Sequence, residues 1–313
     1  MNFICPKSRH LLQEKDNLLI CQCGASYQII DGIPIFSEID PFYEGVWKEG
    51  FRDPHDFAGR IYLALSMDTW PRRYRFIRKC LHGVPGGLLV NILDIGCGGG
   101  NDIFPKKGKT VGCDISLASL RKAKEYYSQC VQMDITKPFP FESETLSFIS
   151  CVEVLEHLSG QSKGPFLKEI HRVLTRGGRA VFTFQAVGWC HKFARILSEE
   201  YYKKYFVEPF GHIGLEYSTQ AKKRLKDQGF RIVALQKHFS LIFPTGMLLQ
   251  YFDNEYRKRS FLIDIVLRFI VLFSRFPRLA EGFNFIIGHT QGILEIFLPF
   301  NAGSNIFILC EKK

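Results

Sequence analysis

No uncharged apolar run in the 313 residues reaches the length of about 18 needed to cross a bilayer, so a membrane-spanning helix is not expected. The chain also has no internal repeat at a fixed period and no low-complexity tract, which excludes a solenoid or a compositionally biased tail. No secretory signal precedes its ten cysteines, which are scattered from Cys5 to Cys310, and no two of them have the C-x-x-C spacing of a metal knuckle. Reduced thiols in a cytosolic protein are the expectation. A formal net charge of +10 would suit nucleic acid or an anionic membrane surface, but no base-stacking motif is interleaved with the basic residues. These fall instead in short groups such as "PRRYRFIRK", "RKAK" and "KKRLK", which read as solvated helix faces.

What is present is a mosaic. Residues 1–40 hold three cysteines, a turn and the extended stretch "YQIIDGIPIF", a small β-rich unit. Residues 41–88 carry aromatics at helical intervals and form a helical extension, a candidate lid. Strands and helices alternate over 89–240, with "GLLVNILDIG", "KTVGCDIS", "CVQMDI", "TLSFISCVE", "GGRAVFTFQ" and "FRIVALQKHF" as strands and "SNIFILCEKK", within 304–313, as a seventh. Such alternation predicts an α/β, Rossmann-like sheet of parallel strands with helices on both faces. Between the sixth and seventh strands, 241–303 is a hydrophobic helical insertion. There "FLIDIVLRFIVLFSRF" places Asp264, Arg268 and Arg275 on one stripe behind a basic "RKRS". It reads as a lid, a dimer surface or a peripheral contact with the inner face of a membrane.

The stretch "NILDIGCGGGN" carries the most chemistry. A dinucleotide fingerprint, G-x-G-x-x-G, would use Gly96 and Gly98 but fails at Asn101, and no Lys-Ser or Lys-Thr follows to make a phosphate-cradling loop. What remains is acid-x-Gly-x-Gly-x-Gly, Asp94 to Gly100, with a second acid, Asp114, ending the next strand. The pattern suits a ligand with ribose hydroxyls and an amine but no phosphate.

In these motifs the chain resembles the class I S-adenosylmethionine-dependent methyltransferases over 89–240 and the last strand. The resemblance implies that Gly96, Gly98 and Gly100 let the backbone approach the methionine part of the methyl donor and that Asp94 orients its ammonium. It implies further that Asp114 takes both ribose hydroxyls, that Asp134 in "QMDI" reads the adenine amino group, and that Ile115 and Ile135 flank the ring. The segment "CVEVLEHL", with Cys151, would close the cofactor site. Two departures stand out: Leu146-Ser147 replaces the Phe-Asp usual at the fourth strand, and Pro105 cuts short the helix after the glycine loop.

Methyl transfer needs alignment and, for hydroxyl or carbon acids, a base. His157 in "EVLEHL" and His212 in "EPFGHIGLEYS" are the catalytic candidates, against readings in which His157 is a helix-start residue satisfied by backbone. Glu153 and Glu156 either fix His157 or cap that helix, where acids are favoured, and capping is the expectation. Tyr43, Trp47, Trp189, Tyr201 and Tyr202 are candidates for lining an acceptor pocket. The first 40 residues resemble the zinc-ribbon-like unit that precedes some bacterial rRNA guanine methyltransferases and that also occurs as a free methyltransferase activator. Cys5, Cys21 and Cys23, with His10 as a further ligand, are an incomplete zinc set, so the unit is expected to stand without metal. The functional expectation is methylation of a small-molecule or lipid-linked metabolite, at oxygen. An RNA base methyltransferase and a non-catalytic partner module are the rivals.

Overall fold

The computed structural model describes residues 2–41, 43–44, 69–84, 91–104, 109–188, 191–192, 195–196, 199–203, 207, 211–238 and 305–313. Its first unit is a four-stranded antiparallel sheet of β1 (Gln13–Lys15), β2 (Leu18–Ile20), β3 (Ser26–Ile30) and β4 (Ile33–Pro34), paired in that order. Two-residue loops join β1 to β2 and β3 to β4. Both residues of each are left-handed, Asp16 and Asn17 at φ 52° and 58°, Asp31 and Gly32 at 54° and 74°. That geometry matches the right-handed twist of the flanking strands, and Asp, Asn and Gly tolerate it best.

The second sheet has seven strands in the order β10-β11-β9-β8-β5-β6-β7. Five of them form one continuous parallel ladder, β5 (Asn91–Ile95), β6 (Lys109–Asp114), β7 (Gln129–Gln132), β8 (Leu146–Val152) and β9 (Leu174–Gln185). The last strand, β11 (Asn305–Lys312), is antiparallel both to β9 and to β10 (Phe230–His238). Alternation predicted a wholly parallel sheet. It fails at this strand because an antiparallel neighbour can enter between β9 and β10 without a right-handed crossover helix.

The central strands are apolar on both faces, as a sheet covered by helices requires. Ile92, Leu93, Ile95, Phe148, Ile149, Val181 and Phe182 are all buried. The helix Lys163–Val173 covers the sheet with Phe166, Leu167, Ile170 and Val173, spaced for a single helical face. Ser116 caps the helix Leu117–Ala123, its Oγ accepting from the Ser119 amide at 3.2 Å. Gly229, left-handed at φ 86°, follows the helix Ser218–Asp227 and ends it.

The small sheet covers the β7 edge of the large one. Ile35 bridges Gln132 in parallel, the Phe36 amide donates to the Gln132 carbonyl at 2.9 Å, and the Ile4 amide to Pro140 at 3.0 Å. Phe3 is buried between Phe36 and Phe141, with ring centroids 5.5 and 5.9 Å away. An exposed edge strand would present unpaired N–H and C=O groups to other chains.

In the extension, Thr69–His82 is helical, as the aromatic spacing predicted, and its Phe76 meets Phe307 of β11 at 5.7 Å. Most of 41–88 and all of 241–303 lie outside the described residues, and with them Trp47, Asp264, Arg268, Arg275 and the expected lid, membrane face or dimer surface. Trp189 and the segment at Pro105 lie outside them too. Among the described residues, no helix is long and apolar enough to cross a membrane.

Candidate active site

Strand order reverses at β5: β6 and β7 lie on one side of it, β8 and β9 on the other. The crevice beyond the C-terminal ends of such strands is where open α/β sheets bind ligands. The glycine loop leaves β5 there. Its shape is fixed by Gly96 and Cys97 amides donating to the Cys113 carbonyl at 2.8 and 3.1 Å, and by left-handed Gly96, Gly98 and Gly100. These glycines are needed for different reasons. A Cβ at Gly96 would strike the Val154 side chain and one at Gly100 the Tyr126 ring, whereas at Gly98 it would meet nothing within 4 Å among the described residues. Gly98 therefore turns bare backbone toward open space.

Two carboxylates hold this loop. Asp114, at the end of β6, accepts from the Gly98 amide at 2.9 Å through Oδ2 and from the Ser116 amide at 2.9 Å through Oδ1. Asp94, buried in β5, accepts from the Tyr127 hydroxyl at 2.5 Å and from Asn101 Nδ2 at 3.1 Å. Burial pushes the Asp94 carboxyl up to about 6 against these hydrogen bonds, and it also raises Asp114. Neither Tyr127 nor the positive role of Asn101 was legible. The sequence marks Asn101 only as a missing glycine, but its amide ties Asp94 to Tyr127 at 3.0 Å, and its Oδ1 accepts from the Ile103 amide at 3.1 Å.

One strand further out, Asp134 spends Oδ1 on the amide and hydroxyl of Thr136, at 2.8 and 2.7 Å. Ile115 and Ile135 are half-buried at the same sheet edge. Tyr43, a candidate for lining an acceptor pocket, stands on this side of the sheet. Burial and the charges of Asp40, Asp114 and Asp134 raise its phenol, so it lies close to those carboxylates. The neighbouring Glu44 accepts from the Ala118 amide at 3.3 and 3.2 Å, at the start of the helix Leu117–Ala123. Cys151 pairs in register with Ile95 and is buried, with burial raising its thiol well above the ordinary range. It packs at the strand end, beside the start of the glycine loop.

Beyond β8, the expected helix is only a single 3-10 turn, Leu155–His157, and neither glutamate caps it. Glu153, at φ 53°, pairs with the buried Arg73 at 2.9 Å. Glu156 is buried, its Oε1 accepting from the Gln185 amide at 3.1 Å. His157 is not satisfied by its own turn: its Nδ1 meets the Gly211 carbonyl, 54 residues away, at 3.2 Å. Burial lowers its basicity, which keeps the imidazole neutral at pH 7. The buried ring of His212 lies 5.1 Å from that of His157. The structure thus brings the two sequence-selected histidines together.

The loop that carries His212 is anchored by residues that sequence reasoning passed over. The Gly214 amide donates to the Glu156 carbonyl at 2.8 Å, and a Cβ on Gly214 would collide with the Leu158 carbonyl. Lys163, buried to 2% exposure of its side chain, donates to the Gly214 carbonyl at 2.5 Å and pairs with Glu216 at 3.1 Å. Arg224 holds the same Glu216 at 2.9 Å. A buried lysine in "QSKGPFL" gives no signal in sequence, where lysine reads as solvated surface.

The N-terminal thiols also converge. Cys5, Cys21 and Cys23 sulfurs lie within 4.8 Å of one another, Cys5 and Cys23 at 3.7 Å. Ser8, not His10, stands beside them, its Oγ 3.1 Å from the Cys21 sulfur. Burial works to raise the Cys5 thiol, but hydrogen bonds from Tyr27 and Ser8 outweigh it and bring the group down to about 6. Among the described residues, the ligand group here is three sulfurs, where a structural zinc set has four ligands.

Comparison with known proteins fits this architecture. Residues 93–182 match the family model described as a methyltransferase domain. The chain is 31% identical over 112 residues to a Dictyostelium discoideum protein described as "Probable 18S rRNA (guanine-N(7))-methyltransferase", covering 31% of this chain and 38% of that one. It is 28% identical over 125 residues to the ubiquinone biosynthesis O-methyltransferase of Alkalilimnicola ehrlichii, covering 37% and 49% respectively. The chain therefore matches half or less of the length of these relatives. Among solved structures, phosphoethanolamine N-methyltransferase 2 of Haemonchus contortus, in complex with phosphomonomethylethanolamine and S-adenosylhomocysteine, superposes with a TM-score of 0.50 at 18% identity. That match covers 89% of this chain and 62% of the other, a likeness of fold. With its matched central segment and seven-stranded sheet, the chain carries a methyltransferase domain of the class I fold.

Proposed function

We propose that the protein is an S-adenosylmethionine-dependent methyltransferase acting on a small-molecule or lipid-linked metabolite, with oxygen as the accepting atom. The observation that carries this reading is the Asp94–Gly98–Asp114 assembly: bare, left-handed backbone facing open space between two buried carboxylates. Its donor set fits a cationic, ribose-bearing ligand and opposes phosphate, because a carboxylate already holds the Gly98 amide.

When bound, S-adenosylmethionine supplies a methyl group activated on a sulfonium. The residues named do the holding. Asp94 faces the ammonium, the lone pairs of Asp114 not spent on Gly98 and Ser116 take the ribose hydroxyls, and Asp134 receives the adenine amine through Oδ2. Ile115 and Ile135 flank the ring. With Nδ1–H of His157 committed to the Gly211 carbonyl, Nε2 carries the lone pair of a neutral imidazole, the form that removes a proton from an acceptor hydroxyl. The O-methyltransferase relative supports oxygen as the acceptor.

Calorimetry with S-adenosylhomocysteine tests the base of this reading. Wild type is expected to bind, and Asp114→Ala to lose roughly 30- to 100-fold in affinity, the worth of about 2–3 kcal/mol for charge-assisted hydrogen bonds. No binding by wild type, or an unchanged Asp114→Ala, overturns it. RNA base methylation is a second reading, supported by the rRNA methyltransferase relative and the +10 charge. It requires RNA affinity that falls steeply between low and moderate salt.

A further inference from the structure

We infer that Glu156, His157 and His212 form a binding site for a divalent first-row transition-metal ion, placed to hold an oxygen of the methyl acceptor. The inference rests on the proposed methyltransferase reading only for what the ion would touch; the site stands on its own geometry.

One ligand atom from each of the three residues lies within 4.8 Å of the other two. A single point therefore lies within about 2.8 Å of all three, against the roughly 2.0–2.2 Å of nitrogen and carboxylate bonds to a metal. Shifts of under about 1 Å in the side chains close that difference. Glu156 Oε2 is buried and has no hydrogen-bond partner among the described residues, although the other oxygen of the same carboxylate is satisfied by the Gln185 amide. A buried polar atom left so is costly unless something else engages it. A cation would.

The surroundings have the form of a built site. His157 gives its Nδ1 to a backbone carbonyl, the arrangement that fixes a ligating imidazole's tautomer and aims its other nitrogen. The His212 loop is tied to the Glu156 turn through Gly214 and Lys163, so the ligands from two distant segments are held in place before any ion arrives. Glu153 adds negative charge nearby, balanced by its Arg73 partner. Two imidazoles and one carboxylate suit borderline ions such as iron(II), cobalt or zinc, take the harder manganese(II) more weakly, and leave coordination positions open. An acceptor hydroxyl in one of them would have its pKa lowered and would lose its proton to water, because His157 Nε2, the base of the metal-free reading, is then spent on the ion; the oxygen would be fixed at the edge of the strands where the glycine loop emerges.

Manganese(II) is the probe of choice, because it does not favour the thiol cluster of Cys5, Cys21 and Cys23. Titration of the metal-free full chain, followed by loss of the free-ion paramagnetic resonance signal, is expected to show one saturable site. Glu156→Gln, which keeps an acceptor for the Gln185 amide, is expected to weaken binding on the order of 100-fold, and His212→Ala to do the same. S-adenosylhomocysteine affinity, measured on the same samples without metal, is expected to change less than about threefold, which shows that the variants are folded. Manganese that fails to bind wild type, or binds all variants alike, overturns the site while leaving cofactor binding as the separate test of the methyltransferase reading. Should both variants lose S-adenosylhomocysteine binding as well, His157→Gln carries the test. Unaltered manganese affinity in that variant likewise overturns the site.

Discussion

The two sides of the crevice are built on opposite plans. On the β5–β6–β7 side, the groups that hold the glycine loop come from within 33 residues of one another: Gly98 to Asp114 spans 16, Asn101 to Asp94 spans 7, Tyr127 to Asp94 spans 33. On the β8–β9 side, His157 to Gly211 spans 54 and Lys163 to Gly214 spans 51. One side is a set of backbone turns pinned by carboxylates. The other is a loop docked onto a turn by a buried ion pair and a close backbone approach. On the proposed reading, the difference implies that the two sides fail separately: cofactor affinity would be sensitive to local changes near β5 and β6, and acceptor chemistry to the docking of 211–216.

Gly214→Ala is the strongest way to break that comparison. The new Cβ would overlap the Leu158 carbonyl, which belongs to backbone and cannot swing aside, so the loop must lift and carry His212 with it. A displacement of about 1 Å at a catalytic group costs on the order of 100-fold in rate. We therefore expect turnover, measured by release of S-adenosylhomocysteine with a competent acceptor, to fall by about that factor, with S-adenosylhomocysteine affinity in calorimetry within about threefold of wild type. A parallel loss of both would show that the two sides form one cooperative unit.

What could be read from sequence follows the same division. The seven strands, the glycine loop and the row of acids at Asp94, Asp114 and Asp134 were legible because each is a short pattern whose period or spacing dictates local structure. His157 and His212 could be picked out by residue type, but not joined, since the contact is made by a loop more than 50 residues on. Glu153 and Glu156 read as caps because acids near a helix start usually are. Their partners, Arg73 and the Gln185 amide, come from other parts of the fold. The convergence of Cys5, Cys21 and Cys23 was hidden by a spacing that breaks the usual knuckle.

The cofactor side can be tested by pH. Burial raises the Asp94 carboxyl from 3.8 to about 6, so the folded state binds a proton more tightly than the unfolded chain. Stability from this residue is therefore present below about pH 4 and is lost as pH rises through 6, a difference of about 3 kcal/mol by pH 7. Ligand binding has the opposite sign, since a cationic ammonium favours the ionised carboxylate. We expect affinity for S-adenosylhomocysteine to rise roughly tenfold from pH 5 to pH 7 while the melting temperature of the free protein declines relative to that of Asp94→Asn. In Asp94→Asn the affinity should be nearly flat over that range. An affinity profile that is the same in both proteins would remove Asp94 from ammonium binding.

The smallest expected effect is the most specific. Asn101→Gly completes the G-x-G-x-x-G spacing with Gly96 and Gly98, the pattern whose absence first pointed away from dinucleotides. It also removes the amide that braces Asp94 and Tyr127 and the acceptor for the Ile103 amide. Asp94 keeps the Tyr127 hydroxyl, so the loss is a bracing contact worth about 1 kcal/mol, and S-adenosylhomocysteine affinity should fall only about three- to fivefold. Dinucleotide binding should not appear. The Gly98 amide that a pyrophosphate would need is already held by Asp114, and a carboxylate at that distance repels phosphate whatever residue stands at 101. NADH fluorescence titrated with Asn101→Gly should therefore remain at the wild-type baseline. Saturable NADH binding in the variant would show that the third position, rather than the carboxylate behind Gly98, sets which ligand this loop accepts.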